Sequence, residues 1–201
     1  MTSEQIAPCA VILAGGRSTR MGSNKALLEL NNKTVIAGQI EELRKFFDPV
    51  IVVANQPELY QGLGVRIVPD EFPGYGPLAG IHAGLKNAPG DVVFVVPCDM
   101  PFISADIGVQ MLGQLGGADG LVLEKDGHFE PLFALYTKRC LPVIEEFLRA
   151  KRLKVIDFYP LVNIEALPVE KLALPRPVNE LLLNINTPEE FQQAKVFGAC
   201  N

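Results

Sequence analysis

Three glycines and three cations crowd into one short stretch of an acidic chain. From Leu13 to Lys25 the sequence reads Leu-Ala-Gly-Gly-Arg-Ser-Thr-Arg-Met-Gly-Ser-Asn-Lys, placing Gly15, Gly16 and Gly22 among small polar residues and beside Arg17, Arg20 and Lys25. Glycine tolerates the positive φ angles that turn successive backbone N–H groups toward one point, so such a loop forms a nest for an anion. Charge-assisted hydrogen bonds from Arg20 and Lys25 to phosphate contribute about 1.5–3 kcal/mol each, enough for two of them to select a polyphosphate. The spacing excludes both common nucleotide loops. Gly22 stands three residues before Lys25 and Ala26 follows that lysine, unlike a Walker loop, and no GxGxxG occurs.

Asp99 is the next residue suited to chemistry. It follows the apolar run 92–96, and ligands of open α/β sheets bind beyond the carboxyl ends of buried strands. A carboxylate there suits Mg2+, which takes one or two carboxylates and fills its octahedron with water and substrate oxygens. The alternative for Asp99, capping the following helix, falls to Ser104. Asn55 closes the run 50–54, Asp70 closes 65–69, and Asn184 and Asn186 follow the apolar run 181–183, near a strand end. By residue type all four suit turns. Asn55 and Asp70 also reach the edge where the loop lies, within range of a base or ribose. His82 and His128 are the two candidates for an acid or base, but a site that works on phosphate rests on positioning and charge neutralisation and need not use either.

The elements that must hold these residues alternate. Short Val/Ile-rich runs at 10–13, 50–54, 65–68, 92–96, 120–124 and 133–136 are separated by segments of helical period, which predicts βαβ units around a mostly parallel sheet. Continuous apolar runs imply burial on both faces. Val35, Ile36, Gln39, Ile40, Leu43 and Phe47 line one face of a helix over 34–47, with Thr34 as N-cap. Further helices are expected over 77–88, after Ser104, over 138–150, and from Thr187-Pro188-Glu189-Glu190, where Thr187 and Glu190 form a capping box. Residues 151–177 carry mixed periodicity and several prolines, and read as a short strand pair or an excursion over one face.

The 201 residues include 48% apolar and 20% charged side chains, with no linker or repeat, so one domain with a real core is expected. Cys9, Cys98, Cys140 and Cys200 show neither CxxC nor zinc spacing, which fits reduced thiols in a cytoplasm. No run approaches a membrane span, and no membrane partner is expected. A net charge of −5 argues against a nucleic-acid surface.

Against this background LAGGRSTRMGSNKALLEL resembles the signature of the molybdenum cofactor guanylyltransferases of the nucleotidyltransferase superfamily. Val68–Asp70, Gly76–Leu85, Pro97–Phe102, Glu130–Tyr136 and Asn184–Glu190 extend the likeness over nearly the whole chain. The resemblance implies an α/β fold: a single-domain, Rossmann-like three-layer sandwich with a mostly parallel central sheet, of the nucleotide-diphospho-sugar transferase type. Its GTP-binding half would span about residues 8–100 and its acceptor half about 101–197. Mg2+-dependent transfer of GMP from GTP to molybdopterin is implied, with small molecules as the main partners and client molybdoenzymes or cofactor-delivery proteins beyond them.

In that scheme Leu13, Ala14, Gly15 and Gly16 meet the guanine, and Asn55 and Asp70 meet base or ribose. Arg20 and Lys25 hold the pyrophosphate, Asp99 carries the metal, and Asn184 or Asn186 completes the metal or phosphate shell opposite it. Glu130 and Pro131 border the acceptor. Related cytidylyltransferases tend to carry Ala at the position of Gly15, and a residue without Cβ leaves room for a purine. The rival readings are a cytidylyl or sugar-phosphate transferase on the same fold, and a non-catalytic nucleotide-binding adaptor. The chain departs from the family at Asn31-Asn32-Lys33-Thr34, where a Gly-Lys-Pro turn is common; Asn supplies the left-handed conformation instead.

Overall fold

The computed structural model describes residues 8–15 and 25–199. Gly16, Arg17, Arg20 and Gly22 lie outside the described residues.

Seven strands form one sheet in the order β5-β4-β1-β6-β8-β7-β9, with β1 Cys9–Leu13, β4 Val50–Val53, β5 Arg66–Val68, β6 Val92–Pro97, β7 Gly120–Lys125, β8 His128–Thr137 and β9 Ile164–Pro168. A small hairpin of β2 Glu29–Leu30 and β3 Lys33–Thr34 lies apart. The crossover through α3 Ala105–Gln114 carries the chain from β6 past one vacant position to β7. The β7–β8 hairpin then turns back into that gap, so β8 alone runs antiparallel, between β6 and β7. The other six strands run one way and end at one edge.

Alternation explains the layers. Ala10, Ile12, Val50, Val52, Phe94, Val96, Phe133 and Leu135 face one core, under α1 Val35–Leu43 and α3. Cys9, Val11, Ile51, Val53, Val93, Val95, Ala134 and Tyr136 face the other, under α2 Pro77–Asn87 and α4 Leu141–Arg149. Because each strand is covered twice, its sequence is continuously apolar, as expected. In the first core Phe47 stacks on Phe94 at 5.3 Å and Phe133 meets Phe94 edge-on at 5.3 Å. Such pairs add about 0.5–1.5 kcal/mol beyond area burial.

In the second core α2 lies close on β1. A Cβ at Gly84 would meet Val11 Cγ1 at 2.8 Å, and one at Gly80 would meet Leu13 Cδ2 at 3.0 Å. The helix reaches the strand because those positions lack side chains.

Several expectations need adjustment. The strand expected at 133–136 is β8 over His128–Thr137. Its turn, Asp126-Gly127, has φ angles of 51° and 76°, the hairpin conformation favoured by Asp-Gly, but polar flanking residues conceal it from a search for apolar runs. Within 151–177 there is one strand, β9, pairing parallel with β7 and flanked by 3-10 turns at Val155–Leu161 and Val169–Lys171. Leu181–Leu183 is no strand: Leu181 ends the short helix α5 Val178–Leu181, its side chain buried in the first core. Ser104 occupies the N-cap position of α3 without a side-chain cap bond; Glu42 Oε1, from α1, accepts from Ala105 N at 3.0 Å instead. Thr34 does cap α1, accepting from Ala37 N at 3.3 Å, and Asn31 and Asn32 take φ angles of 53° and 62°.

Candidate active site

Three distant pieces of chain meet where β1 and β6 end. Cys98 N donates to Leu13 O at 3.1 Å, carrying the β1–β6 ladder one step past the strands and placing Asp99 beside the start of the glycine-rich loop. Ile185 N, from the segment before α6 Pro188–Ala199, donates to Asp99 O at 2.8 Å. Lys25 enters from the far end of the loop. Its Nζ lies 3.7 Å from Asp99 Oδ2 and donates to Asn186 Oδ1 at 2.5 Å. Side-chain exposures of 16% for Lys25 and 24% for Asp99 place the pair in a partly dehydrated recess. Burial raises the Asp99 pKa above the usual carboxylate value, and the Lys25 ammonium and backbone hydrogen bonding work against that rise.

Two further residues hold this arrangement. Gln39, 1% exposed on the buried face of α1, donates through Nε2 to Pro97 O at 2.9 Å and Met100 O at 2.7 Å, bracketing Cys98 and Asp99. Glu190 Oε2 accepts from Asn186 N at 2.6 Å and Thr187 N at 2.9 Å, and Thr187 Oγ1 accepts from Glu190 N at 3.2 Å, closing the expected capping box. The supporting role of Gln39 was missed from sequence. Its signal is an amide at a position where the helical period calls for an apolar side chain.

Beside this recess stand Leu13, Ala14 and Gly15. Ala14 N donates to Val53 O at 2.8 Å, and Tyr60 Oη donates to Ala14 O at 3.1 Å, so this carbonyl already holds a hydrogen bond. A Cβ on Gly15 would meet nothing within 4 Å among the described residues. One strand further along, Asn55 Nδ2 donates to Asp70 Oδ2 at 2.6 Å and Asp70 N donates to Asn55 Oδ1 at 3.0 Å. The reciprocal pair fixes the Asp70 carboxylate, whose Oδ1 is buried without a hydrogen-bond partner among the described residues. α2 presents its N-terminus at the same edge, with Gly76 as N-cap at φ 73°.

The other expected residues separate from this cluster. Asn184 Nδ2 donates to Leu182 O at 3.3 Å, a bond within its own turn, so Asn186 and not Asn184 reaches Lys25. Glu130, with its pKa raised by burial against the nearby charges of Lys125 and His128, and Pro131 lie where β8 begins, at the same sheet edge but two strand positions from β1. Pro131 O accepts from Tyr136 Oη at 2.8 Å. His82 is 2% exposed inside α2, edge-on to Phe72, and His128 is exposed at the hairpin tip. Neither joins the site.

Among the described residues no group of three or more His, Cys, Asp or Glu gathers to hold a metal. The Asp99 carboxylate fits Mg2+ of the kind that takes one or two protein ligands and completes its shell from water and phosphate, whereas Asn186 Oδ1 already accepts from the Lys25 ammonium. No described helix is long and apolar enough to cross a membrane.

An open, mostly parallel sheet with a glycine-rich loop after its central strand and an Asp–Lys pair at the next strand end defines a nucleotidyltransferase. Residues 10–159 match the model of the MobA-like NTP transferase domain, and the chain belongs to that family. A probable molybdenum cofactor guanylyltransferase of Pelotomaculum thermopropionicum is 44% identical over 188 residues, covering 94% of this chain and 92% of that one. The molybdenum cofactor guanylyltransferase of Syntrophotalea carbinolica is 36% identical, covering 92% and 89%. The crystal structure of molybdopterin-guanine dinucleotide biosynthesis protein A from Archaeoglobus fulgidus superimposes with a TM-score of 0.84 at 26% identity, over 96% of this chain and all of that one.

Proposed function

We propose that this protein transfers GMP from GTP to the terminal phosphate of molybdopterin, releasing pyrophosphate. The relatives named for that reaction support the substrates. The observation in this chain that carries the reading is the convergence of Lys25, Asp99 and Asn186 where the phosphate loop ends.

In the proposed reaction an oxygen of the acceptor phosphate attacks the α-phosphorus of GTP in line. The bond from that phosphorus to the bridging oxygen of the β-phosphate breaks, and pyrophosphate leaves with the electron pair. Leu13, Ala14 and Gly15 border the guanine, Gly15 bringing no Cβ of its own to that wall. Tyr60 fixes the Ala14 carbonyl through one of its two lone pairs, leaving the other, with the neighbouring main-chain groups of the wall, to read the base. Asp70, its carboxylate held by Asn55, stands at the edge for base or ribose. Lys25, with Arg20 of the same loop, neutralises charge gathering on the leaving pyrophosphate. Asp99 would hold Mg2+, which when bound neutralises the reacting phosphates, while Asn186 serves the phosphate side through Lys25. In this reading residues 8–100, joined by Asn186, serve the nucleotide and most of 101–197 the acceptor, with Glu130 and Pro131 at its border. The product would pass to molybdoenzymes or to proteins that deliver it.

Pyrophosphate release measured with molybdopterin, Mg2+ and GTP, CTP or ATP tests this. GTP should be preferred, and Asp99→Ala and Lys25→Ala should both lose turnover. A preference for CTP would overturn the nucleotide assignment, and full turnover by either variant would overturn the site.

A further inference from the structure

We infer that Glu190 is a positioning residue for Lys25, acting through Asn186. This rests on the reading above that Lys25 holds the nucleotide phosphates. In an ordinary capping box the glutamate answers one backbone N–H at the helix start. Here the Glu190 carboxylate answers two, Thr187 N at 2.9 Å and Asn186 N at 2.6 Å, both through the same oxygen. The second bond is not needed to start α6. It fixes the backbone of the residue whose Oδ1 receives the Lys25 ammonium at 2.5 Å. On its other side Asn186 is preceded by Ile185, fully buried and bonded through its N to Asp99 O at 2.8 Å. Asn186 is therefore clamped from both neighbours.

A lysine side chain has four rotatable carbons and reaches many positions, so a fixed acceptor is what confines its ammonium. Freed from Glu190, Asn186 would still hang from Ile185 but would lose the bond that orients its own peptide. Lys25 would then spend less of its time facing the phosphate loop. Glu190 touches neither substrate nor metal in this scheme.

The test combines four single substitutions with GTP affinity by calorimetry in the presence of Mg2+ and no acceptor, alongside kcat and KM for the full reaction. Glu190→Ala should weaken GTP about tenfold, the worth of one charge-assisted hydrogen bond. Glu190→Gln keeps an oxygen acceptor and should restore affinity to within about threefold of the parent. Thr187→Ala removes the other half of the capping box, lowering the melting temperature as Glu190→Ala does but leaving GTP affinity and KM unchanged. Lys25→Met should weaken GTP by more than Glu190→Ala, and adding Glu190→Ala to it should cost nothing further, because the ammonium that Glu190 serves is gone. If Glu190→Ala weakens GTP equally with and without Lys25, or if Thr187→Ala weakens it as much, Glu190 acts only on the fold and the inference fails. If Lys25→Met alone leaves GTP affinity intact, it is the assignment of Lys25 to the phosphates that fails.

Discussion

The approach of α2 to β1 can be tested by a pair of substitutions that differ only in what they meet. Gly80→Ala and Gly84→Ala each replace a helical glycine, and each gains about 1 kcal/mol of helix propensity, so that gain cancels in the comparison. At Gly84 the new methyl lies 2.8 Å from Val11 Cγ1 and 3.0 Å from Cγ2. Val11 is fully buried in β1, paired on both sides by β4 and β6, and β-branched, so it can neither rotate nor retreat. Overpacking of that kind costs about 1–3 kcal/mol. At Gly80 the contact is Leu13 Cδ2 at 3.0 Å, the end of a flexible side chain that is only partly buried at the strand terminus. A small χ adjustment relieves it for about 0.5 kcal/mol.

Gly84→Ala should therefore be less stable than Gly80→Ala by about 0.5–2.5 kcal/mol. Near 2–4 °C per kcal/mol for a chain of this size, that is a melting difference of about 1–10 °C by calorimetry. Function should move the opposite way. Gly80→Ala displaces Leu13, a wall of the proposed guanine site, and should raise the KM for GTP, whereas folded Gly84→Ala should keep the parental value. Equal melting temperatures, or a Gly84→Ala protein that melts above Gly80→Ala, would refute the close packing of α2 on β1.

Asp99→Asn should reduce kcat at least a hundredfold in the pyrophosphate assay, about the value of one lost transition-state charge contact. It should not lower the melting temperature at pH 7: the Asp99 pKa is raised on folding, so its ionised form weakens the fold above the unfolded value of 3.8, and Asn removes that cost. Gln39→Leu should destabilise the fold by about 1–3 kcal/mol in urea titration by leaving Pro97 O and Met100 O unbonded, and should lower kcat by loosening Asp99. His82, its pKa lowered chiefly by burial, takes a proton more readily unfolded than folded. Stability should thus fall as pH drops through 6.5, by at most about 1.4 kcal/mol per unit, and His82→Leu should flatten that limb in melting curves from pH 7 to 5. Asn55→Ala should raise the KM for GTP with little change in kcat, by releasing the Asp70 carboxylate; a pure kcat effect would remove Asp70 from nucleotide binding.

Most of the sheet was legible because its strands are covered on both faces and so carry unbroken Val and Ile. β9 and the start of β8 were not, because an edge strand and a hairpin arm reaching beyond the helices are partly wet and their residues mixed. Asp99, Lys25 and the capping box stood out as charges at defined breaks in apolar pattern. The choice between Asn184 and Asn186 was not legible, since both are asparagines two residues apart and only the turn after α5 decides which one faces Lys25. The reciprocal bonding of Asn55 and Asp70 was equally hidden, because it depends on β4 and β5 being neighbours. Glu42 could not be foreseen as the cap of α3, being 63 residues away in the chain.

The bond from Lys25 to Asn186 joins residues 161 apart in sequence. During synthesis the glycine-rich loop leaves the ribosome well before the asparagine that receives its lysine. The lysine proposed to hold the phosphates therefore gains this acceptor only once the segment before α6 has docked.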